Sequence, residues 1–171
     1  MFRSLTTLVL ATAVLMVGTT RAQVKAPAVP ERPGVAAGTL EFFNKTVKLA
    51  HAYVSGPDNR GGNVYRIVLS DRPVPPDSLA VELKWGGGQK LLRAGKLDGV
   101  LLNVEETGVV RVVIPFMENI RGSQSLMNAG RLPVFKVSDG VVTGQATFAK
   151  VRGHGWTLTA SWHAKATPVV R

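Results

Sequence analysis

The chain has 171 residues, a formal net charge of +10 from 21 Lys and Arg against 11 Asp and Glu, and no Cys. Without Cys it has neither disulfides nor a thiolate for catalysis or metal binding. The positive balance favours an anionic partner such as polysaccharide, lipid headgroup or nucleic acid, although an ordinary solvated basic surface explains the same charge.

The first 22 residues have the layout of a secretory signal peptide. Arg3 gives a positive start, residues 5–17 are apolar and uncharged, and Thr20-Arg21-Ala22 places small residues at the cleavage position. The apolar run is short for a bilayer span, no Cys follows it to carry a lipid, and no later run would form a transmembrane helix. We therefore expect a cleaved signal peptide without a lipobox, and a periplasmic or secreted protein.

A proline-rich stretch separates this leader from the predicted domain. Residues 23–37 contain three prolines among small residues, which predicts a flexible, extended linker. The β domain is predicted at residues 38–166, with a tail at 167–171. Removal of the leader leaves 149 residues, which suits a single domain that buries about two-thirds of its unfolded surface.

Alternating apolar and polar residues predict three strands at the start of the domain. They are Thr39–Phe43, Thr46–Val54 and Asn63–Ser70. The first two flank Asn44-Lys45 and are predicted to form a hairpin. One face of the second strand is expected to carry Val47, Leu49, His51 and Tyr53. One face of the third is expected to carry Tyr65, Ile67 and Leu69.

The middle of the chain is predicted to leave the sheet and then return to it. Three prolines between Asp71 and Asp77 end the sheet, because proline cannot donate to a strand ladder. A helix through Ser78–Trp85, or alternatively a strand, is predicted next, and a second short helix at Gln89–Ala94 follows three glycines.

Strands are predicted again at Gly99–Val104 and Val109–Phe116, joined by a turn that ends at Gly108. One face of the second of these strands is expected to carry Val110, Val112, Ile114 and Phe116. Residues 117–131 show no periodicity, which predicts a long connection, either a binding loop or a stretch with one helical turn near 123–128.

The last part of the chain predicts two more hairpins. They comprise Leu132–Val137, the turn at Asp139-Gly140, Val141–Val151 and Trp156–Ala164. The last strand is expected to turn inward its residues Trp156, Leu158, Ala160 and Trp162. About eight strands with one or two short helices predict a mostly β, single-domain fold, either an antiparallel β-sandwich or a partly open barrel.

Basic residues are concentrated from residue 119 to the end of the chain, where seven Lys and Arg accompany one acid, Asp139. If its turns and the 117–131 connection meet at one end, guanidinium groups would converge in an arrangement that suits anions. The predicted ligand-binding residues are Arg121, Arg131, Lys150, Arg152 and His154. No aromatic series interleaves them and the chain is exported, so nucleic acid is not a predicted partner.

His51 and Tyr53 mark an alternative site, a pocket in which His51 acts as a general base or ligand. Such a role needs a carboxylate or a metal nearby, and a half-buried histidine that only hydrogen-bonds a neighbour explains the same pattern. The histidines lack zinc-ligand spacing, and the chain has no Gly-x-Ser-x-Gly elbow or P-loop. No catalytic residue, metal or cofactor is therefore predicted.

Three motifs follow one another within residues 38–104. They are Leu49-x-His51-Ala52-Tyr53, Val68-Leu69-Ser70-Asp71-Arg72-Pro73 and Ala94-Gly95-Lys96-Leu97. In this order they resemble a group of uncharacterised bacterial exported β-rich proteins, with Asn44-Lys45 in place of the usual Asn-Gly turn. The resemblance implies a periplasmic or secreted setting and carries no catalytic role.

These patterns predict an exported bacterial β domain that binds or scaffolds a component of the cell envelope without catalysis. One alternative is a binder of an anionic envelope component, polysaccharide or lipid headgroup, through the basic C-terminal surface. The other is a small enzyme that uses His51.

Overall fold

Nine β-strands make up most of the part of the chain that the computed structural model describes, namely residues 25–58, 63–77, 79, 97–118, 125–149 and 155–168. The strands are β1 (Val35–Phe42), β2 (Lys45–Asp58), β3 (Val64–Ser70), β4 (Gly99–Glu105), β5 (Val109–Phe116), β6 (Leu126–Arg131), β7 (Val134–Ser138), β8 (Val141–Phe148) and β9 (Trp156–Thr167). Most are rich in Val, Leu, Ile, Thr or aromatic residues, which pack well on a pleated surface.

The strands form one sheet in the order β6-β5-β4-β3-β2-β1-β9-β8-β7. Neighbours in this order are antiparallel, and past the start of β1 the strands β2 and β9 also pair directly in parallel. Four strands separate β3 from β7, yet the rings of Tyr65 and Phe135 lie 5.9 Å apart. The sheet therefore curls into a half-barrel, which confirms the prediction of a mostly β, antiparallel, partly open barrel.

β6 is a strand that the sequence analysis missed. Its residues lie in the range predicted as a connection, and the helical turn predicted near 123–128 is replaced by strand from Leu126 onwards. Positive φ angles at Asn128 (51°) and Gly130 (92°) interrupt the extended backbone, and the pairing with β5 shifts register between Val110 and Val112. These irregularities remove the period-two pattern by which a strand is recognised.

The inside of the curl is the main hydrophobic core. Trp156 and Trp162 of β9 are 2% and 0% exposed, and Leu158 and Ala160 between them are fully buried. The inward face predicted for this strand is therefore confirmed. The predicted inward face of β3, with Tyr65, Ile67 and Leu69, is also in this core.

Two bulges change which side chains reach the core. In β2 the alternation shifts between Leu49 and Ala52, at the register shift of its pairing with β1, so Ala52 and Val54 are buried in the core. The predicted face that joined His51 and Tyr53 to Val47 and Leu49 is therefore wrong, because a bulge reverses the side of every later residue.

The same change occurs in β5. Its pairing with β4 shifts register at Arg111, and as a result Val110 and Val113 lie in the main core. Ile114 and Phe116 belong to a second cluster instead. The single face predicted for Val110, Val112, Ile114 and Phe116 is therefore wrong, for the same physical reason.

The second hydrophobic cluster lies on the outer face of the sheet. Val68, Leu101 and Phe116 project outward from β3, β4 and β5, and residues flanking the long β3–β4 connection, Val74 and Leu97, pack on them. Of the predicted helices at 78–85 and 89–94, only Leu79 belongs to the described residues. Its N–H donates to Pro75 C=O (2.9 Å).

Three turns compare directly with their predictions. Asp139 and Gly140 both have positive φ (52° and 73°), as the predicted two-residue Asp-Gly turn requires. Gly108 has φ 84° and donates its N–H to Glu105, which confirms the second turn. The first turn is shifted by one residue, because Phe42 pairs with Lys45 and the loop residues are Phe43 and Asn44.

The start of the domain also differs from the prediction. β1 begins at Val35, three residues inside the range predicted as a linker. Gly34 precedes it, with φ 83°, and joins the sheet through hydrogen bonds from Gly34 N–H to His163 C=O (2.7 Å) and from Ala52 N–H to Gly34 C=O (3.0 Å). No helix among the described residues is long and apolar enough to cross a membrane.

Candidate functional site

The β1–β2 turn and the ends of several other strands lie at the same end of the sheet. This end, where strands start or finish, is called here the hairpin edge. It is defined by Phe43, Asn44, Ser70, Gly99, Phe116, Phe148 and Trp156. Phe43 at the tip of the β1–β2 hairpin is 67% exposed, in contrast to the buried Phe42 before it. Its φ is 50°, in the left-handed region that bulky residues rarely adopt.

Phe43 is held firmly although it is exposed. Its N–H donates to Gly155 C=O (2.8 Å), and its ring meets Phe42 edge-on with centroids 4.9 Å apart. A Cβ atom on Gly155 would lie only 2.8 Å from Phe43 Cε1, so the ring covers the backbone of Gly155 closely. The structure thus presents one aromatic face to solvent in a fixed orientation.

A charged network fastens the hairpin to the rest of this edge. Lys45 Nζ donates to Asp98 Oδ2, and Asp98 is buried just before β4. The other oxygen, Asp98 Oδ1, accepts from Glu118 N–H (2.8 Å), and Asp98 N–H donates to Asp71 Oδ1 (3.0 Å). The Asp98 carboxylate therefore connects β2 with the end of β5, its backbone N–H connects to Asp71 after β3, and together these bonds keep the hairpin in place.

The described residues carry balanced charge. They contain ten Lys and Arg and ten Asp and Glu, so the whole positive excess of residues 23–171 belongs to the segments 59–62, 80–96, 119–124, 150–154 and 169–171. The strand framework itself is therefore not a basic surface.

Of the predicted basic set, only Arg131 belongs to the described residues, and Arg121, Lys150, Arg152 and His154 lie outside them. Arg131 is exposed at the end of β6, paired with Val109 beside the β4–β5 turn. That turn lies opposite to the hairpin edge. The end of β8 and the start of β9 belong to the hairpin edge. Arg131 therefore lies at the opposite end of the sheet from Phe148 and Trp156, and the predicted convergence of the five residues stays a prediction.

The other predicted pair, His51 and Tyr53, lies on the outer face of β2. His51 is half-buried between Val35 of β1 and Ser70 of β3. Tyr53 packs against the second cluster, and its hydroxyl accepts from Val74 N–H (3.1 Å). Within the described ranges no three His, Asp or Glu side chains gather as a metal site requires.

Two pKa values are shifted at the edge opposite to the hairpin. Burial, together with the negative charge of Glu106, raises the pKa of the Tyr65 hydroxyl. Arg111 Nε donates to Glu105 Oε1 at 2.8 Å and thereby lowers the pKa of that carboxyl. The Tyr65 shift thus comes first from its place in the core, and the Glu105 shift from its partner Arg111 beside the β4–β5 turn.

The structure also shows a contact that the sequence analysis did not anticipate. Residues Pro27–Pro30, called here the strap, lie on the outer face of β8 and β9 and receive three side-chain hydrogen bonds. They run from Gln145 Nε2 to Pro27 O (2.8 Å), from Ser161 Oγ to Ala28 O (2.8 Å), and between His163 Nδ1 and Pro30 O (2.9 Å). A Pro-x-x-Pro segment and an outward row of polar residues on β9 were the available signals.

Comparison of the chain with protein-family models, with curated proteins and with solved structures found no match. Because a fold alone does not imply a function, the side chains at the hairpin edge and on the outer face carry the functional inference.

Proposed function

We propose that this protein is an exported, non-enzymatic domain of the bacterial cell envelope that binds an anionic polysaccharide at the hairpin edge. The observation that carries the proposal is Phe43, an exposed aromatic residue held in a left-handed conformation. Glycine would adopt this conformation without steric cost, whereas a side chain costs about 1–2 kcal/mol. An exposed, strained residue of this kind supports a role in binding.

The contacts of Phe43 suit a flat ligand. Because Gly155 and Phe42 fix the ring, little side-chain freedom is lost when the apolar face of a sugar packs on it. Lys48 is exposed on β2, and the sequence Lys150-Val151-Arg152-Gly153-His154 follows Phe148 of β8 and precedes Trp156 of β9, two residues of the hairpin edge. Cations beside an aromatic platform favour a ligand that is both cyclic and negatively charged.

Retention of the mature protein on immobilised dextran sulfate tests the proposal, with unmodified dextran as the neutral matrix. The wild type should be retained on dextran sulfate and elute as NaCl rises, because exposed charge interactions are screened by salt. Phe43→Gly should elute at lower salt while its thermal midpoint changes little. The relief of strain, about 1–2 kcal/mol, would offset the lost contacts of a ring that is one-third buried, about 0.5–1 kcal/mol, and the added chain entropy of glycine, about 0.5–1 kcal/mol.

Two charge variants locate the site. The double variant Lys150→Ser/Arg152→Ser should lose most retention, and Arg131→Ser, the matched control at the opposite edge, should keep it. Retention that is indifferent to salt, or lowered equally by both variants, would refute binding at the hairpin edge. Binding to vesicles of phosphatidylglycerol without binding to dextran sulfate would show that the ligand is a lipid surface and not a polysaccharide.

A further inference from the structure

The strap contacts have a regular geometry. Gln145 and Ser161 are direct partners across β8 and β9, and His163 follows Ser161 two residues later on the same face. Side chains two apart on a strand are spaced about 6.6 Å. Carbonyls two apart on an extended segment are spaced about 6.2–6.6 Å along it. The donors Ser161 and His163 thus match the spacing of the acceptors Ala28 and Pro30.

We propose that the outer face of β8 and β9 is a binding site for extended Pro-x-x-Pro polypeptide, and that the strap is its resident ligand. Proline has no N–H, so a proline-rich segment offers mainly carbonyl oxygens, and side-chain donors on a rigid sheet recognise them independently of the intervening residues. The pre-formed conformation of such a segment lowers the entropic cost of binding.

Burial shows that the site is closed around its ligand. Ser161 is 0% exposed although it faces outward on β9. Its hydroxyl donates to Ala28 O, so no buried polar group is left unsatisfied there. A free strap would expose this hydroxyl together with the side chains of Gln145 and His163, and a second segment of the same chemistry would find three donors in place.

The strap of the same chain occupies the site in cis. Only residues 31–34 join the strap to β1, so its local concentration is on the order of millimolar. A Pro-x-x-Pro peptide in trans should therefore bind only when the strap is weakened. This inference is independent of the polysaccharide proposal, because the strap lies on the outer face of β8 and β9 and not at the hairpin edge.

A labelled peptide with the sequence of residues 23–34 tests the inference by fluorescence anisotropy against full mature proteins. The double variant Pro27→Gly/Pro30→Gly weakens the strap by raising its freedom when undocked. This strap variant should bind the peptide, with the wild type at least about tenfold weaker because its own strap competes. Adding Ser161→Ala to the strap variant should weaken binding by about two- to tenfold.

A control peptide with both prolines replaced by glycine should bind more weakly than the native peptide. Equal binding of the two peptides, or equal binding of the native peptide to wild type and strap variant, would overturn the proposal.

The tautomer of His163 gives a second readout that needs no peptide. A carbonyl only accepts, so His163 must carry a proton on Nδ1 to bond Pro30 O. Nitrogen-15 NMR of the wild type at neutral pH should show the Nδ1–H form, and the strap variant should shift towards the Nε2–H form. An Nε2–H tautomer in the wild type would show that the strap is not docked.

Discussion

The contact between Gly144 of β8 and Trp162 of β9 gives the sharpest test of the core, through the substitution Gly144→Ala. The two residues are cross-strand partners, and a methyl group on Gly144 would lie 2.2 Å from Trp162 Cζ2 and 2.8 Å from Cη2. Carbon atoms pack at about 3.5–4.0 Å. The indole must therefore move by more than about 1 Å, in a core where it is fully buried.

Overpacking of this kind costs up to about 3 kcal/mol, and replacing glycine within a strand returns about 0.5–1 kcal/mol of chain entropy. The free energy of unfolding of Gly144→Ala should therefore fall by about 2 kcal/mol. At about 2–4 °C per kcal/mol for a domain of this size, the thermal midpoint should fall by about 4–8 °C. Far-UV circular dichroism and tryptophan fluorescence of the protein would measure both.

A double-mutant cycle with Trp162→Phe separates this contact from general damage. The smaller ring leaves space at Gly144, so the double variant should be more stable than the sum of the single effects by at least about 1 kcal/mol. Thr147→Ala, on the exposed face of the same strand, is the matched control and should be additive with Trp162→Phe within about 0.5 kcal/mol. Additivity for Gly144→Ala as well would refute the packing of the indole on this glycine.

Three further predictions concern charged and titrating groups. Asp98→Asn cannot keep the ion pair with Lys45, and should lower the urea midpoint by the equivalent of about 1.5–3 kcal/mol with the slope unchanged; an unaltered midpoint would contradict this. The pKa of Tyr65 is raised above 10.0 in the folded state, so its contribution is present below that pH and is lost as pH rises through the folded pKa. In Tyr65→Phe the free energy of unfolding should fall less steeply at alkaline pH than in the wild type. An identical fall in both would count against the burial argument. The pKa of Glu105 is lowered from 4.5, so its contribution is present above that pH and is lost as pH falls through the folded pKa. Arg111→Gln should remove this acid dependence in urea titrations, whereas an unchanged acid limb would exclude the pair as its cause.

The sequence by itself determined the parts of the fold that depend on local patterns. Strict alternation placed both tryptophans of β9 in the core, and Asp139-Gly140 specified its turn, because side-chain period and φ preference are properties of neighbouring residues. It was also enough to indicate a mostly β, antiparallel fold. The export leader and the polysaccharide ligand stay predictions.

Only the tertiary structure decided which side His51 and Tyr53 face, since a bulge arises from pairing with β1 and leaves no mark within β2. It also placed the strap on β8 and β9, through contacts between residues 118 to 133 positions apart. The position of the exposed Phe43 depended likewise on its contacts with Gly155, just before the last strand. Contacts between residues so distant in the chain are set by how the whole sheet curls, and a period-two pattern, which relates only near neighbours, contains no information about that curl.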